Sequence, residues 1–462
     1  MSEVMRALFV LFVLTAGSAS AGWDPTVRLT TSDSATHNSM TPARSIAAGP
    51  PGCIHVVFYD HRTDKDQIYY KRSEDSGATW SADTMLSNGV GFKAEPAVAA
   101  SGGCVHAVWE DRDSGVYNAG VSYRRSTDAG LTWLAETLLA SEAYNCRNPS
   151  VSAQDSFVHV AWADDSAGRE LYYRRSTDYG ATWSDKVRLT NDIQESWHPS
   201  LALHDSFVHL AWRDWRDHSF EVYYKRSADY GVTWGSDERL SGDLANGSYN
   251  PCIAADSGLV HVVWSDTRHM PFEIYCRSST DEGATWDDEI RLSDDTTGSY
   301  NTTVTARGAT VHLMWEALYG TSFIMYKSST DGGKTWSADT ALTVTPDYWS
   351  VSPCAAMDGS DVHLVWTDFR DSEYGEIYYK RKPAGGAGID EGRKPQASSR
   401  KLGATILLGA SSVERLASSV VFDAMGRRVL NPRSGVYFVR SASGVMRSAS
   451  GIERMSKVVV TR

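Results

Sequence analysis

The sequence lacks the marks of several protein classes. It has no CxxC pair and no Cys/His spacing of a metal site, and its six cysteines (Cys53, Cys104, Cys146, Cys252, Cys276 and Cys354) lie far apart. Cys53 and Cys104 fall at one position of a repeating pattern, and Cys252 and Cys354 at another. Equivalent positions in a repeat are held apart, so most are expected to be small buried apolar residues, with neither disulfides nor a metal. Basic residues are outnumbered by acidic ones, 45 to 57, for a net charge of −12. That excludes a protein built to neutralise nucleic-acid phosphates. Helix-favouring runs are scarce. The one long apolar run, Ala7 to Ala16, follows Arg6 and precedes the small residues Ala19-Ser20-Ala21. Such an order predicts a signal peptide over residues 1–21, a mature start at Gly22 and no later membrane span.

What the chain has is aromatic residues, 16 Trp and 22 Tyr among 462, and a repeat. One pattern, S-x-D-x-G-x-T-W, occurs six times: Ser73–Trp80, Ser126–Trp133, Ser176–Trp183, Ser227–Trp234, Ser279–Trp286 and Ser329–Trp336. Successive final tryptophans are 53, 50, 51, 52 and 50 positions apart, by subtraction. Constant spacing of this kind marks a repeat architecture. A second pattern, V/I-H-x-x-W/F, occurs seven times, with histidines His55, His106, His159, His209, His261, His312 and His363. Between the patterns lies a strand such as Glu221–Ser227, and after the tryptophan comes a segment such as Ser184–Thr190.

Each unit thus holds four short strands, and four antiparallel strands per repeat in a ring make a propeller blade. The seventh unit ends at Glu376–Lys382 without the eight-residue pattern, while Trp23–Thr30 aligns with Trp183–Thr190. The N-terminal segment is therefore expected to supply the outer strand of the last blade and so cover an open sheet edge. The predicted fold is all-β: a seven-bladed β-propeller over residues 22–382, closed by an N-terminal strand. A linker over 383–402, rich in Gly, Ser and Lys, precedes a small C-terminal β-sandwich-like domain over 403–462.

The eight-residue pattern resembles the Asp-box, or bacterial neuraminidase repeat, and the resemblance runs from Trp23 to Lys382. Its aspartates here are Asp75, Asp128, Asp178, Asp229, Asp281 and Asp331. Their expected role is structural, since an Asp accepts bonds from the amides of a tight turn and Gly permits positive φ. The family includes sialidases, xyloglucanases, lyases, lectins and non-enzymatic propellers. The resemblance implies that the working face lies opposite the Asp-box turns. The first arginine of a sialidase sits in an R-I-P motif, which is absent here, and sialidases have six blades. Xyloglucanases pair two propellers, and this chain has one. The segments Val420–Val429, Ser434–Arg440 and Lys457–Arg462 resemble the sorting domain of type IX secretion cargo. That resemblance implies export by the type IX machinery and release from, or attachment to, the outer cell surface.

Candidate ligand groups follow the histidine strands. Asp stands two places after the aromatic in six units, and in the sixth unit Ala317 replaces it. Four of these aspartates have an arginine two residues on: Asp60 and Arg62, Asp214 and Arg216, Asp266 and Arg268, Asp368 and Arg370. The pairs suit a ring that binds polar sugars or a carboxylate; equally, they suit a repeated clasp on each turn. The segments joining blades carry Tyr144-Asn145, Trp197-His198, Tyr249-Asn250, Tyr300-Asn301 and Tyr348-Trp349. Those rings would either stack on sugars or pack between blades. The seven histidines are expected to be buried, each with one hydrogen bond, since a ring spreads them too widely to share a metal. The leading functional expectation is a secreted or surface-attached monomer that binds an extracellular glycan or other ligand without catalysis or cofactor. A divergent sialidase-like glycoside hydrolase and a structural or adhesive surface protein are the alternatives.

Overall fold

In the computed structural model, the described residues are 22–384 except 33, 39–43, 113–118, 141–144, 193, 243–246, 270, 295–297, 319–320 and 344–347, together with three strands nearer the C-terminus. The signal-peptide segment, Tyr144 and all of the predicted linker beyond residue 384 lie outside them. The chain divides into Met1–Ile389 and Asp390–Arg462.

The first unit consists of seven antiparallel sheets in chain order. Blade 4 is typical. Its strands run Ser196–His204, Phe207–Asp214, Glu221–Ser227 and Glu238–Arg239, each hydrogen-bonded to the next. The seventh sheet takes Ser350–Asp358, Asp361–Asp368 and Glu376–Lys382 from the C-terminal side and Val27–Arg28 from the N-terminal side. Val27 pairs with Tyr379 and Arg28 with Tyr378. Arg28 Nη2 donates to Glu376 Oε1 at 2.8 Å, as Arg188 Nη2 donates to Glu170 Oε1 at 2.6 Å in blade 3. The N-terminal strand therefore fills the outer position of blade 7 with the same contacts that the chain-continuous blades use. Trp23 stands edge-on to Tyr326 at 5.2 Å, as the box tryptophans stand to the preceding blade.

The core lies between neighbouring blades. Its largest members come from the histidine strands: Phe58, Trp109, Trp162, Trp212, Trp264, Trp315 and Trp366 have no exposed surface. Each cluster mixes two blades, as when Trp162 and Val160 pack with Val108, Val121 and Tyr123. Burying a ring of that size against a facing sheet is what holds one blade to the next. All six cysteines are free; Cys146, Cys252, Cys276 and Cys354 are buried, whereas Cys53 and Cys104 are partly exposed.

A second lock joins blades at the Asp-box end. The histidines are buried, and His55, His106, His159, His209, His312 and His363 each share a hydrogen bond with a tyrosine hydroxyl of the adjacent strand. In blade 5, where Cys276 replaces the tyrosine, Ser278 Oγ meets His261 at 2.8 Å. Burial lowers the ring pKa to about 4 in His55 and about 3 in His106, so these rings stay neutral. The same tyrosines receive the box of the next blade: Trp133, Trp183, Trp234 and Trp286 meet Tyr70, Tyr123, Tyr173 and Tyr224 edge-on at 4.8 to 5.1 Å. The box glycine must be glycine. At Gly180 φ is +77°, and a Cβ would fall 1.8 Å from the Tyr123 hydroxyl.

In the second unit, Val420–Phe422, Gly435–Arg440 and Ser456–Val460 form a three-stranded antiparallel sheet with Gly435–Arg440 in the middle. Among the described residues, no helix is long and apolar enough to cross a membrane.

Candidate functional site

The two ends of the ring have different chemistry. At one end lie the six Asp-box turns, all bonded alike. In the first, Ser73 Oγ donates to Asp75 Oδ1, Gly77 N to Ser73 Oγ, and Thr79 N and Oγ1 to the two Asp75 oxygens, at 2.6 to 2.8 Å. Asp128, Asp178, Asp229, Asp281 and Asp331 take the same bonds. The Thr79 hydroxyl and amide hold the Asp75 carboxyl down at about 2.

At the opposite end, the Asp–Arg pairs are clasps. Asp214 is fully buried. It accepts from Arg216 Nε, Nη2 and N at 2.8 to 2.9 Å, from Trp212 Nε1 at 2.8 Å and from Ser196 Oγ at 2.9 Å. The fork fits the carboxylate edge and closes the turn between the second and third strands. Asp266–Arg268 and Asp368–Arg370 repeat this geometry, and Asp60–Arg62 nearly so. The remaining Nη1 is also taken in three blades, by Asp83, Asp237 and Glu289. Arg62, Arg216 and Arg268 are therefore satisfied within their own blades. Among the described residues, no outer-strand carboxylate takes Arg370 Nη1, so blade 7 presents its pair differently. Each guanidinium also covers a tyrosine ring, Arg370 lying 4.6 Å from the centre of Tyr378.

The paired aromatics divide into two kinds. Trp197-His198, Tyr249-Asn250 and Tyr300-Asn301 were expected in segments joining blades; they lie instead inside the innermost strands Ser196–His204, Ser248–Asp256 and Ser299–Arg307. Pairing with the second strand begins before them, at Ser196↔Asp214 in blade 4, and a β-bulge follows at once. The bulge puts the second residue of each pair in the left-handed region, with φ of 51° at His198, 50° at Asn250 and 43° at Asn301. Glu95, Asn148 and Ser352 adopt it in blades 2, 3 and 7. Six non-glycine residues at positive φ, all on one end, form a strained ring, and bulges with such backbone gather where a surface is shaped for use. His198 Nδ1 meets Asn250 Oδ1 at 2.7 Å, Asn250 Nδ2 donates to Asn301 Oδ1 at 3.3 Å, and Asn301 Nδ2 to Glu316 Oε2 at 3.0 Å. The rings of Trp197, Tyr249 and Tyr300 are only partly exposed. Tyr348 and Trp349 do join blades, and they are 45% and 49% exposed.

These exposed rings stand over a groove of about 810 Å³ between blades 6 and 7, lined also by Asn301, Glu316, Phe369, Arg370 and Asp371. Its size falls in the range of ligand sites. Glu316 was not singled out from the sequence. It is nearly buried and, among the described residues, forms no ion pair; Ser322 Oγ donates to its Oε1 at 2.8 Å. Burial raises its pKa above the usual carboxyl range. Its signal was adjacent: Ala317 is where the Asp of the other six units is missing, so blade 6 has no clasp.

The BNR repeat-like domain family matches residues 11–196, 97–313 and 207–383, and the chain belongs to that family. A search of curated protein sequences finds no match. Among solved structures, the polysaccharide lyase Uly1 superposes with a TM-score of 0.53 at 10% identity, over 78% of this chain and 99% of that one. The GH93 α-L-arabinofuranosidase of Fusarium graminearum gives a TM-score of 0.46 at 14% identity, over 60% and 89%. Trypanosoma rangeli sialidase gives 0.46 at 12% identity, over 64% and 56%. At such identities the likeness to Uly1 is one of fold.

Proposed function

We propose that this chain is a secreted or surface-attached propeller that binds glycan, without turning it over, on the face opposite the Asp-box turns. The observation that carries this reading is the groove between blades 6 and 7. Two exposed rings flank it, an amide and a buried carboxyl line it, and Arg370 there keeps a donor that its counterparts have spent. Aromatic faces stack on the apolar faces of sugars while amide, carboxyl and guanidinium groups bond hydroxyls. The polysaccharide chemistry in the name of the lyase Uly1 is consistent with such a ligand. A glycan array followed by calorimetry on the full chain tests it. Binding is expected and should be lost in Trp349→Ala. No binding to any glycan, or unchanged affinity in that variant, overturns the reading.

One observation favours a second reading, a glycoside hydrolase. Glu316 keeps its proton more readily than an ordinary carboxyl, as a general acid must, and Asp371 lines the same groove. Glu316→Gln separates the two. A binder keeps its ligand and has no turnover to lose; a hydrolase loses turnover on a polysaccharide panel while still binding.

Export completes the proposal. The Arg6-to-Ala21 segment has the composition of a signal peptide, and the three strands of the second unit fall, to within one residue at Ser456, inside the three segments that resemble a type IX sorting domain. Removing residues 403–462 in a host with type IX secretion should leave the propeller in the periplasm. Normal appearance outside the cell would exclude that route.

A further inference from the structure

Arg213 has no role in the fold that resembles that of the other arginines on its face. It follows Trp212 on the second strand of blade 4, opposite Trp197 on the innermost strand. Glu316 holds the same place after the tryptophan in blade 6, and Ser265 holds it in blade 5. The Arg213 guanidinium lies 4.1 Å from the ring centre of Phe220, 5.7 Å from Tyr249 and 5.8 Å from Trp197. Its Nε is buried without a hydrogen-bond partner. Among the described residues, no carboxylate, carbonyl or hydroxyl bonds this side chain.

The adjacent carboxylate does not serve it. Glu195 gives Oε1 to Arg169 at 3.0 Å and Oε2 to Trp197 Nε1 at 2.9 Å. Arg169 itself lies 3.8 Å over the Trp197 ring, so a second cation adds to the field here. Burial lowers the pKa of Arg213 to about 10, which leaves it charged at neutral pH. A cation held among rings and short of an anion is costly unless a ligand supplies one. The rings continue from it in an unbroken arc. Phe220 meets Tyr249 at 5.5 Å, Tyr249 meets Phe272 at 5.6 Å, and Phe272 meets Tyr300 at 4.7 Å. Tyr300 precedes Asn301, which lines the groove.

We infer that Arg213 is the receptor for an anionic substituent, carboxylate or sulfate, of an acidic polysaccharide that runs along the aromatic arc from blade 4 to the groove at blades 6 and 7. The inference rests on the glycan-binding reading and specifies its ligand as a charged polymer. A planar fork in a low-dielectric, ring-walled site binds such a group with one or two charge-assisted hydrogen bonds. The arc supplies stacking surface for the residues between.

Calorimetry on the full chain tests it with three probes: oligogalacturonate, its fully methyl-esterified form and a sulfated galactan oligosaccharide. Binding to at least one charged probe is expected at about tenfold or more over the ester, and weakening as salt rises. The tighter of the two charged probes identifies the substituent. Arg213→Met should abolish the preference for charge, with an unchanged circular-dichroism spectrum; Arg213→Lys should keep part of it. Trp349→Ala should weaken charged and neutral probes alike. If neither charged probe binds better than the ester, or if the preference is unchanged in Arg213→Met, the inference is overturned. If only neutral glycans bind on the array, this inference fails and the glycan reading stands; if nothing binds, both fail.

Discussion

The two ends of the propeller use the same residue types to opposite effect. On the Asp-box end, every turn repeats one set of bonds, and the Trp, Tyr and His partners are used up in joining blades. On the other end, the clasp between Asp and Arg is again structural, but the position just after the strand's tryptophan varies freely: Arg213, Ser265, Glu316 and Thr367 in four successive blades. Uniformity marks what builds the ring, and departure from it marks what the ring presents.

The sharpest way to break the uniform end is Gly180→Ala. Its methyl would collide with the Tyr123 hydroxyl at a φ of +77°, and a loss of about 3 kcal/mol is expected in urea unfolding. Gly359→Ala is the control, since φ there is +59° but nothing lies within 4 Å of the added carbon; its cost should be about 1 kcal/mol. On the other end, Asp214→Ala should cost about 2 kcal/mol. That is below the usual figure for a broken buried pair, because Arg216 keeps Asp237 at 2.8 Å and is partly solvated. Trp349→Ala should change stability by less than about 0.5 kcal/mol yet weaken glycan binding by about 1–2 kcal/mol in calorimetry. The smallest effect is on acid stability. The Thr132 hydroxyl and amide hold Asp128 at about 2, below an unfolded value of about 4. Its contribution is present above pH 4 and is lost as pH falls through 2. Asp128→Asn should therefore flatten the melting temperature across that window and leave it unaltered in slope at neutral pH.

Most of the fold was legible in the sequence because a propeller repeats its physics. The V-H-x-x-W spacing gave the seven second strands. Trp23–Thr30 was recognisable as a displaced outer strand because Arg28 and Thr30 match Arg188 and Thr190, which bond the same glutamate position in their blades. The site was less legible for the converse reason. The Asp–Arg pairs recur and so stand out in a repeat, whereas Arg213 has no counterpart in the other blades and Glu316 differs from Glu110, the glutamate at its position in blade 2, which pairs with Arg112. Trp197, Tyr249 and Tyr300 were placed in connecting segments because nothing in sequence announces a bulge that starts two residues into a strand. Only tertiary pairing decides that such a residue takes a positive φ.

The shared seventh blade has a consequence for how the chain is made. Arg28 and Glu376 are 348 positions apart, yet they meet in one sheet. Blades 1 to 6 each draw on contiguous sequence and can form in order as the polypeptide emerges. Blade 7 cannot, because its outer strand is synthesised first and waits until its partner Glu376–Lys382 is available. Until then the first segment is an unpaired edge and blade 1 lacks its neighbour. The final act of folding is therefore a long-range closure, slow in proportion to the chain entropy it removes. Any export route that carries this protein unfolded must deliver both ends of the propeller before the ring can exist.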